Sequence, residues 1–184
     1  MTSPLGPTLT TERLVLRPHR PEDFEDFATL LADPMAMAFI GGAMSKALAW
    51  RHFTQNIGQW VASGFGFFLV YEREGGRLIG RVGTHRPVGW PGAEVGWALH
   101  GRAHGRGYAT EAASAAMDWA ADTLGWTEII HCIDAENEPS MAVARRLGST
   151  VLREAMLPDP INHVCVVWGQ SADQWRARKR FAAL

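Results

Sequence analysis

Apolar positions in this chain recur at two spacings, and the spacing switches repeatedly along it. Leu14 and Leu16 alternate with Arg13, Val15 and Arg17, which predicts a strand over 9–17 that Pro18 and Pro21 end. Pro21 can then open a helix whose first turn carries Glu22, Asp23 and Glu25, with Phe24, Phe27, Ala28 and Leu31 as its apolar stripe. That stripe stops near Asp33-Pro34. A second helix is expected from Ser45 to about Ala62, with Leu48, Phe53, Ile57 and Trp60 on one side and Gly64 as its stop. Strands over 65–72 and 78–84, joined by Glu74-Gly75-Gly76-Arg77, read as a hairpin. A Pro- and Gly-rich piece at 87–92 leads to a strand over 93–100, in which Glu94, Gly96 and Ala98 alternate with Val95, Trp97 and Leu99. Beyond it come an Ala-rich helix over 107–124, a strand over 128–133 and a short helix over 139–147. Strands over 151–154 and 164–168 and a tail helix over 172–181 complete the series. This order predicts an α/β fold, one mixed sheet covered by helices.

Composition narrows the picture only slightly. A chain of 184 residues, 47% apolar and 20% charged, suits a single domain with one core. A net charge of −1 gives no field for nucleic acid or anionic membrane, so neither is expected as a partner. No apolar run reaches the ~20 residues that span a bilayer, and the first residues lack a signal-peptide pattern, so a cytoplasmic setting is expected. Cys132 and Cys165 are the only cysteines and read as buried strand residues. His85, His100, His104 and His131 lack ligand spacing with a carboxylate, so no metal is expected. His100 and His104 bracket the loop described next and read as solvent or phosphate contacts.

The chemistry concentrates between residues 94 and 121. A strand there feeds a loop bearing Gly101, Gly105 and Gly107, and the loop opens a long helix. Glycine permits positive φ and close backbone approach, while the first turn of a helix leaves N–H groups unpaired at the positive end of a dipole. The combination suits a phosphate, and Arg102 and Arg106 flank it. An ordinary strand-to-helix turn uses the same glycines, so the loop alone leaves both readings open. It lacks the Lys-Ser/Thr of a Walker A loop and the third glycine of a dinucleotide fingerprint.

Arg102-x-x-Gly105-x-Gly107 followed by Tyr108-Ala109-Thr110-Glu111-Ala112 resembles the acyl-CoA motif of the GNAT superfamily of N-acetyltransferases. Asn137-x-x-Ser140-x-x-Val143-x-x-Arg146-Leu147-Gly148 resembles a later motif of that family. Thr11-Glu12-Arg13-Leu14-Val15-Leu16-Arg17 is similar to the start of its RimJ/RimL-like branch, which acetylates ribosomal-protein N-termini. The resemblance implies a single GNAT-like domain over 8–170 and a tail helix over 171–184. It implies a mostly antiparallel sheet of about seven strands, with a splayed strand pair holding acetyl-CoA. It assigns the pantetheine arm to Trp97, Ala98 and Leu99, and the pyrophosphate to the backbone of Arg102, Gly105, Arg106, Gly107, Tyr108, Ala109 and Thr110. Asn137 would add a pantetheine contact and Arg145 a nucleotide contact. Homodimers are common in the family, and the apolar content allows one.

Acetyl transfer needs a neutral amine, and proximity supplies much of the rate. Glu94 is the candidate general base, on a strand with apolar neighbours; a solvated sheet-edge carboxylate is its alternative. Ser140 stands nearest the place where many relatives carry an acidic tyrosine, with helix N-terminal hydrogen bonding as its other role. Tyr71 and Tyr108, the only tyrosines, lie elsewhere. An α-amine is about 10% neutral at pH 7 and a lysine about 0.04%, so a site without an emphatic base favours a protein N-terminus or small-molecule amine. The region 32–64, with Met35, Met37, Phe39, Trp50 and Trp60, and the loop bearing Trp90 are expected to wall the acceptor groove. A non-catalytic acyl-CoA sensor and an ATP-binding protein using the same loop are the alternatives.

Overall fold

The computed structural model describes residues 5–182, with side chains as far as 178. One mixed sheet of eight strands has the order β1-β2-β3-β4-β5-β6-β8-β7. Its strands are β1 (Leu9–Thr10), β2 (Leu14–Arg17), β3 (Phe67–Glu72), β4 (Leu78–His85), β5 (Glu94–Leu99), β6 (Glu128–Ile133), β7 (Thr150–Met156) and β8 (Val164–Ser171). Six helices accompany it: α1 (Phe24–Leu31), α2 (Pro34–Met37), α3 (Lys46–Ser63), α4 (Tyr108–Asp122), α5 (Glu138–Leu147) and α6 (Ala172–Ala182). Residues cluster into two compact units, Met1–Gly83 with Trp97–Ala115 and Thr84–Gly96 with Ala116–Leu184. No helix among the described residues is long and apolar enough to cross a membrane.

In the first unit β1 to β3 and the start of β4 form an antiparallel ladder. The alternation over 9–17 does not make one strand. Thr11 breaks it: its N–H donates to Leu14 O and its Oγ1 accepts from the Leu14 N–H, closing a turn that folds β1 back on β2. Leu14 and Leu16 are fully buried, as the alternation requires. The helices pack Phe27, Leu31, Met37, Ala49 and Phe53 against Leu69 and Leu78. Ser45 caps α3 by accepting from the Leu48 N–H, and Gly64 ends it at φ 73°. Helix α2 has no apolar period of its own to announce it; Asp33 creates it by accepting from the N–H groups of Met35 and Ala36. Met37 and Trp60 lie in the interior, Trp60 donating to Phe67 O, whereas Met35, Phe39 and Trp50 stay exposed. The expected acceptor wall therefore loses two of its members to the core.

The second unit is built on β6, β8 and β7, all antiparallel, over a cluster of Ile130, Leu157, Cys165 and Val167. Both later strands run longer than the sequence pattern predicts. Backbone pairing extends β7 to Met156 although its residues are mostly exposed, so periodicity under-reads it. Strand β5 enters parallel to β6 through the Glu94–Ile130 pair, with the Ile130 N–H donating to Ala93 O. The next contacts are made by side chains. His131 Nδ1 meets Val95 O at 2.6 Å, and the Cys132 N–H donates to Glu94 Oε1 at 3.0 Å.

Candidate functional site

The loop from His100 to Gly107 and the first turn of α4 belong to the first unit. Gly105 and Gly107 take φ of 74° and 78°, a region costly for other residues. A Cβ on Gly105 would meet nothing within 4 Å, so the loop opens onto free space there. Gly101 is different: a Cβ would reach Met35 Sδ at 2.7 Å, so this glycine serves packing.

Two carboxylates hold the loop in place. Glu72, buried at the end of β3, accepts from Arg106 Nη1 at 2.9 Å, Tyr108 OH at 2.9 Å and Arg77 Nε at 3.1 Å. Burial pulls its pKa up, but the hydrogen bonds from Tyr108 and Arg77 and the positive charges outweigh this and hold it below the ordinary value. Glu111, in the first turn of α4, accepts from Thr11 Oγ1 at 2.6 Å, the Arg13 N–H at 2.9 Å and Arg13 Nε at 2.7 Å. Here too burial is outweighed, and the carboxyl stays below its ordinary value. The Tyr108 ring is flanked by the guanidiniums of Arg13 and Arg106, each 4.6 Å from its centroid. Burial and the Glu72 carboxylate raise the Tyr108 hydroxyl, so it remains a donor.

The flanking arginines are thus engaged with protein: Arg106 on Glu72, and Arg102 through Nη2 on Leu78 O at 3.0 Å. What the loop presents is backbone. Ala109 and Thr110 lie half-buried on the first turn of α4, where a helix leaves its N–H groups unpaired. His100 is buried rather than solvent-facing. Its Nδ1 and the Gly101 N–H both meet Asp33 Oδ2, at 3.0 and 2.9 Å. Burial raises the Asp33 carboxyl, but the Gly101, His100, Met35 and Ala36 bonds bring it down to about 2. His104 Nε2 lies 3.0 Å from Leu99 O. On β5, Ala98 and Leu99 are buried and Trp97 half-buried.

In the second unit Glu94 is 6% exposed, so it is not a solvated sheet-edge group. Its Oε2 accepts from Trp90 Nε1 at 2.6 Å and its Oε1 from the Cys132 N–H at 3.0 Å. Trp90, itself edge-on to His85 at 4.7 Å, is expected from the sequence as an acceptor-groove residue; its hydrogen bond to Glu94 is what spacing does not reveal. Asn137 caps α5, its Oδ1 accepting from the Ser140 N–H at 3.1 Å. Ser140 is half-buried there. Arg145 lies 3.6 Å from Glu138 Oε2 and 5.3 Å above the Trp168 ring. His131 is fully buried, and desolvation lowers its pKa to about 4 against the pull of Val95 O. Its Nδ1 therefore carries the proton, and Nε2 accepts from Ser149 Oγ at 3.0 Å. Among the described residues no group of three or more potential ligands is placed to hold a metal ion.

Residues 13–150 match the family model of the acetyltransferase (GNAT) domain. The uncharacterized N-acetyltransferase YnaD of Bacillus subtilis is 27% identical over 141 residues, covering 76% of this chain and 81% of that protein. The crystal structure of an acetyltransferase from Agrobacterium tumefaciens superposes with a TM-score of 0.78 at 35% identity, over 89% of this chain and 94% of that one. RimL, the ribosomal L7/L12 α-N-protein acetyltransferase in complex with coenzyme A, shares the fold. Its TM-score is 0.72 at 17% identity, over 89% and 96% of the two chains. The chain belongs to the GNAT acetyltransferase family. It is an acyltransferase, of a family that uses acetyl-CoA.

Proposed function

We propose that this protein is an acetyl-CoA-dependent N-acetyltransferase that acetylates a primary amine, an α-amine before a lysine side chain, by direct attack in a ternary complex. The observation that carries the proposal is the Gly105-Arg106-Gly107 corner, in left-handed conformation at both glycines and opening α4 inside the family-matched segment. The open space at Gly105 fits a phosphate against backbone N–H groups, which is the chemistry a pyrophosphate requires. RimL, which binds coenzyme A, supports the same cofactor on the same fold. Acetyl-CoA supplies an activated thioester.

The protein's own groups do the rest. Backbone N–H groups from Arg102 through Gly105, Arg106, Gly107, Tyr108 and Ala109 to Thr110 bind the pyrophosphate; Trp97, Ala98 and Leu99 align the pantetheine. Asn137 and Arg145 add cofactor contacts. Glu94 takes the amine proton directly or through a water: hydrogen bonds from the Trp90 indole and the Cys132 N–H hold its carboxylate in place on β5. Ser140 is the candidate for returning a proton to the leaving thiolate.

The test is release of free thiol from acetyl-CoA across a panel of amines and amino-terminal peptides. Thiol release with α-amines ahead of lysine side chains is the expected result; binding of acetyl-CoA with no productive amine would sink the transferase reading. Glu94→Gln should lower kcat/KM by roughly 10²–10⁴-fold and remove the acid limb of its pH profile. Full activity in that variant would remove Glu94 as the base.

A further inference from the structure

Arg13 lies outside the loop, on the turn between β1 and β2, yet it is tied to the loop more tightly than either arginine of the motif. Its Nη1 donates to the carbonyl of Arg106 at 3.0 Å. Its Nε and Nη2 approach Glu111 Oε2 at 2.7 and 2.6 Å. Glu111 Oε1 is fixed in turn by the Arg13 N–H and by Thr11 Oγ1, across about a hundred residues of sequence. In a trans peptide the C=O and N–H lie in one plane and point in opposite directions. Holding the Arg106 carbonyl against Arg13 therefore turns the Gly107 N–H away from Arg13. Among the described residues no protein group accepts from that N–H.

The pair has a second effect. Glu111 sits in the first turn of α4, where an unpaired carboxylate would repel an incoming phosphate and compete for the helix dipole. Pairing with Arg13 neutralises it, and the hydrogen bonds from Thr11 and then Arg13 outweigh burial and hold it below its ordinary pKa. We infer that Arg13 and Glu111 are a positioning pair, which aims the Gly107 N–H at the cofactor pyrophosphate and screens the helix start from carboxylate repulsion. The inference rests on the acetyl-CoA reading of the loop. It makes Arg13 act through the backbone of residues 106–107 rather than as a phosphate ligand. Lysine cannot replace it, because three directed donors are needed at once.

Calorimetric titration of the full chain with coenzyme A and acetyl-CoA tests this, alongside turnover with the best amine of the acceptor panel. Arg13→Gln, Arg13→Lys and Glu111→Gln should each raise Kd and the KM for acetyl-CoA roughly tenfold while leaving kcat at saturating cofactor within about twofold. The double variant Arg13→Gln/Glu111→Gln should be no worse than the weaker-binding single, since both remove one coupled contact. Glu111→Gln is nearly isosteric, and melting curves on every variant confirm a folded protein at the assay temperature. Weakening by Arg13→Gln alone, with Glu111→Gln binding as wild type or tighter, would make Arg13 a direct ligand and overturn the inference. Wild-type affinity in Arg13→Lys, additive losses in the double variant, or a fall in kcat without a change in Kd would also overturn it. Wild-type protein that binds no coenzyme A would instead remove the acetyl-CoA reading itself.

Discussion

Gly105→Val should weaken acetyl-CoA binding by roughly a hundredfold, equivalent to about 2.7 kcal/mol. The native φ of 74° costs a non-glycine residue ~1–2 kcal/mol and a β-branched one more. The added carbons would also project into the open space at this corner. Because no protein atom lies within 4 Å of that Cβ position, the folded state meets no clash, and Tm should fall by only about 2–4 °C per kcal/mol of backbone strain. Gly105→Ala should fall between, at roughly tenfold. Gly101→Ala makes the contrast. A Cβ there collides with Met35, so the variant should lose Tm, with affinity changing less than in Gly105→Val. Wild-type affinity for acetyl-CoA in Gly105→Val would mean that this corner does not face the cofactor.

The second large effect is acid sensitivity. His19 and His131 are both 1% exposed, and desolvation lowers them to about 3 and about 4. Both folded values lie below the unfolded value of 6.5, so on acidification the unfolded chain takes up these protons first. The stability at stake is whole above about pH 6.5 and drains away as pH falls toward 4. At pH 4 each group should have cost about 3 kcal/mol, a large share of a typical domain's total. Asp33, whose folded value is also depressed, contributes in the same sense but in a lower window, with stability present above about pH 3.8 and lost toward 2. The slope between pH 6.5 and 4 is therefore chiefly a histidine property. Urea unfolding at intervals from pH 7.5 to 4 reads it directly. His19→Leu should flatten a large part of the slope, the remainder belonging to His131 and to His52 and His100, which burial also lowers. It should also add about 1 kcal/mol at pH 7, because neither ring nitrogen has a hydrogen-bond partner among the described residues. An unchanged slope in that variant would contradict the account.

Local patterns carry local information, and this explains what the sequence reveals. The Gly105–Gly107 corner, the Ser45 cap, the Gly64 and Gly148 stops and the helix after Asn137 depend on neighbours within four residues, and each reads correctly from spacing. The Thr11-Glu12-Arg13 and Thr110-Glu111 segments both stand out in the sequence, but their hydrogen bonds join residues about a hundred apart, and no periodicity reports such a distance. The Asp33–His100 contact spans 67 residues and turns an expected solvent-facing histidine into a buried one. The break at residues 11–13 hides for another reason. Alternation continues through a turn that Thr11 makes with its own side chain. Glu94 is legible as a candidate from its place on β5, while the indole and the strand N–H that donate to it come from packing.

That carboxylate has a chemical consequence for the cysteine beside it. Burial, and after it the negative charge of Glu94, raise the Cys132 thiol well above its ordinary range. Only a thiolate exchanges readily with thioesters, and at neutral pH this one keeps its proton. An acyltransferase bearing a cysteine on its central sheet risks acylating itself; here the carboxylate proposed to activate the amine also keeps the thiol a bystander.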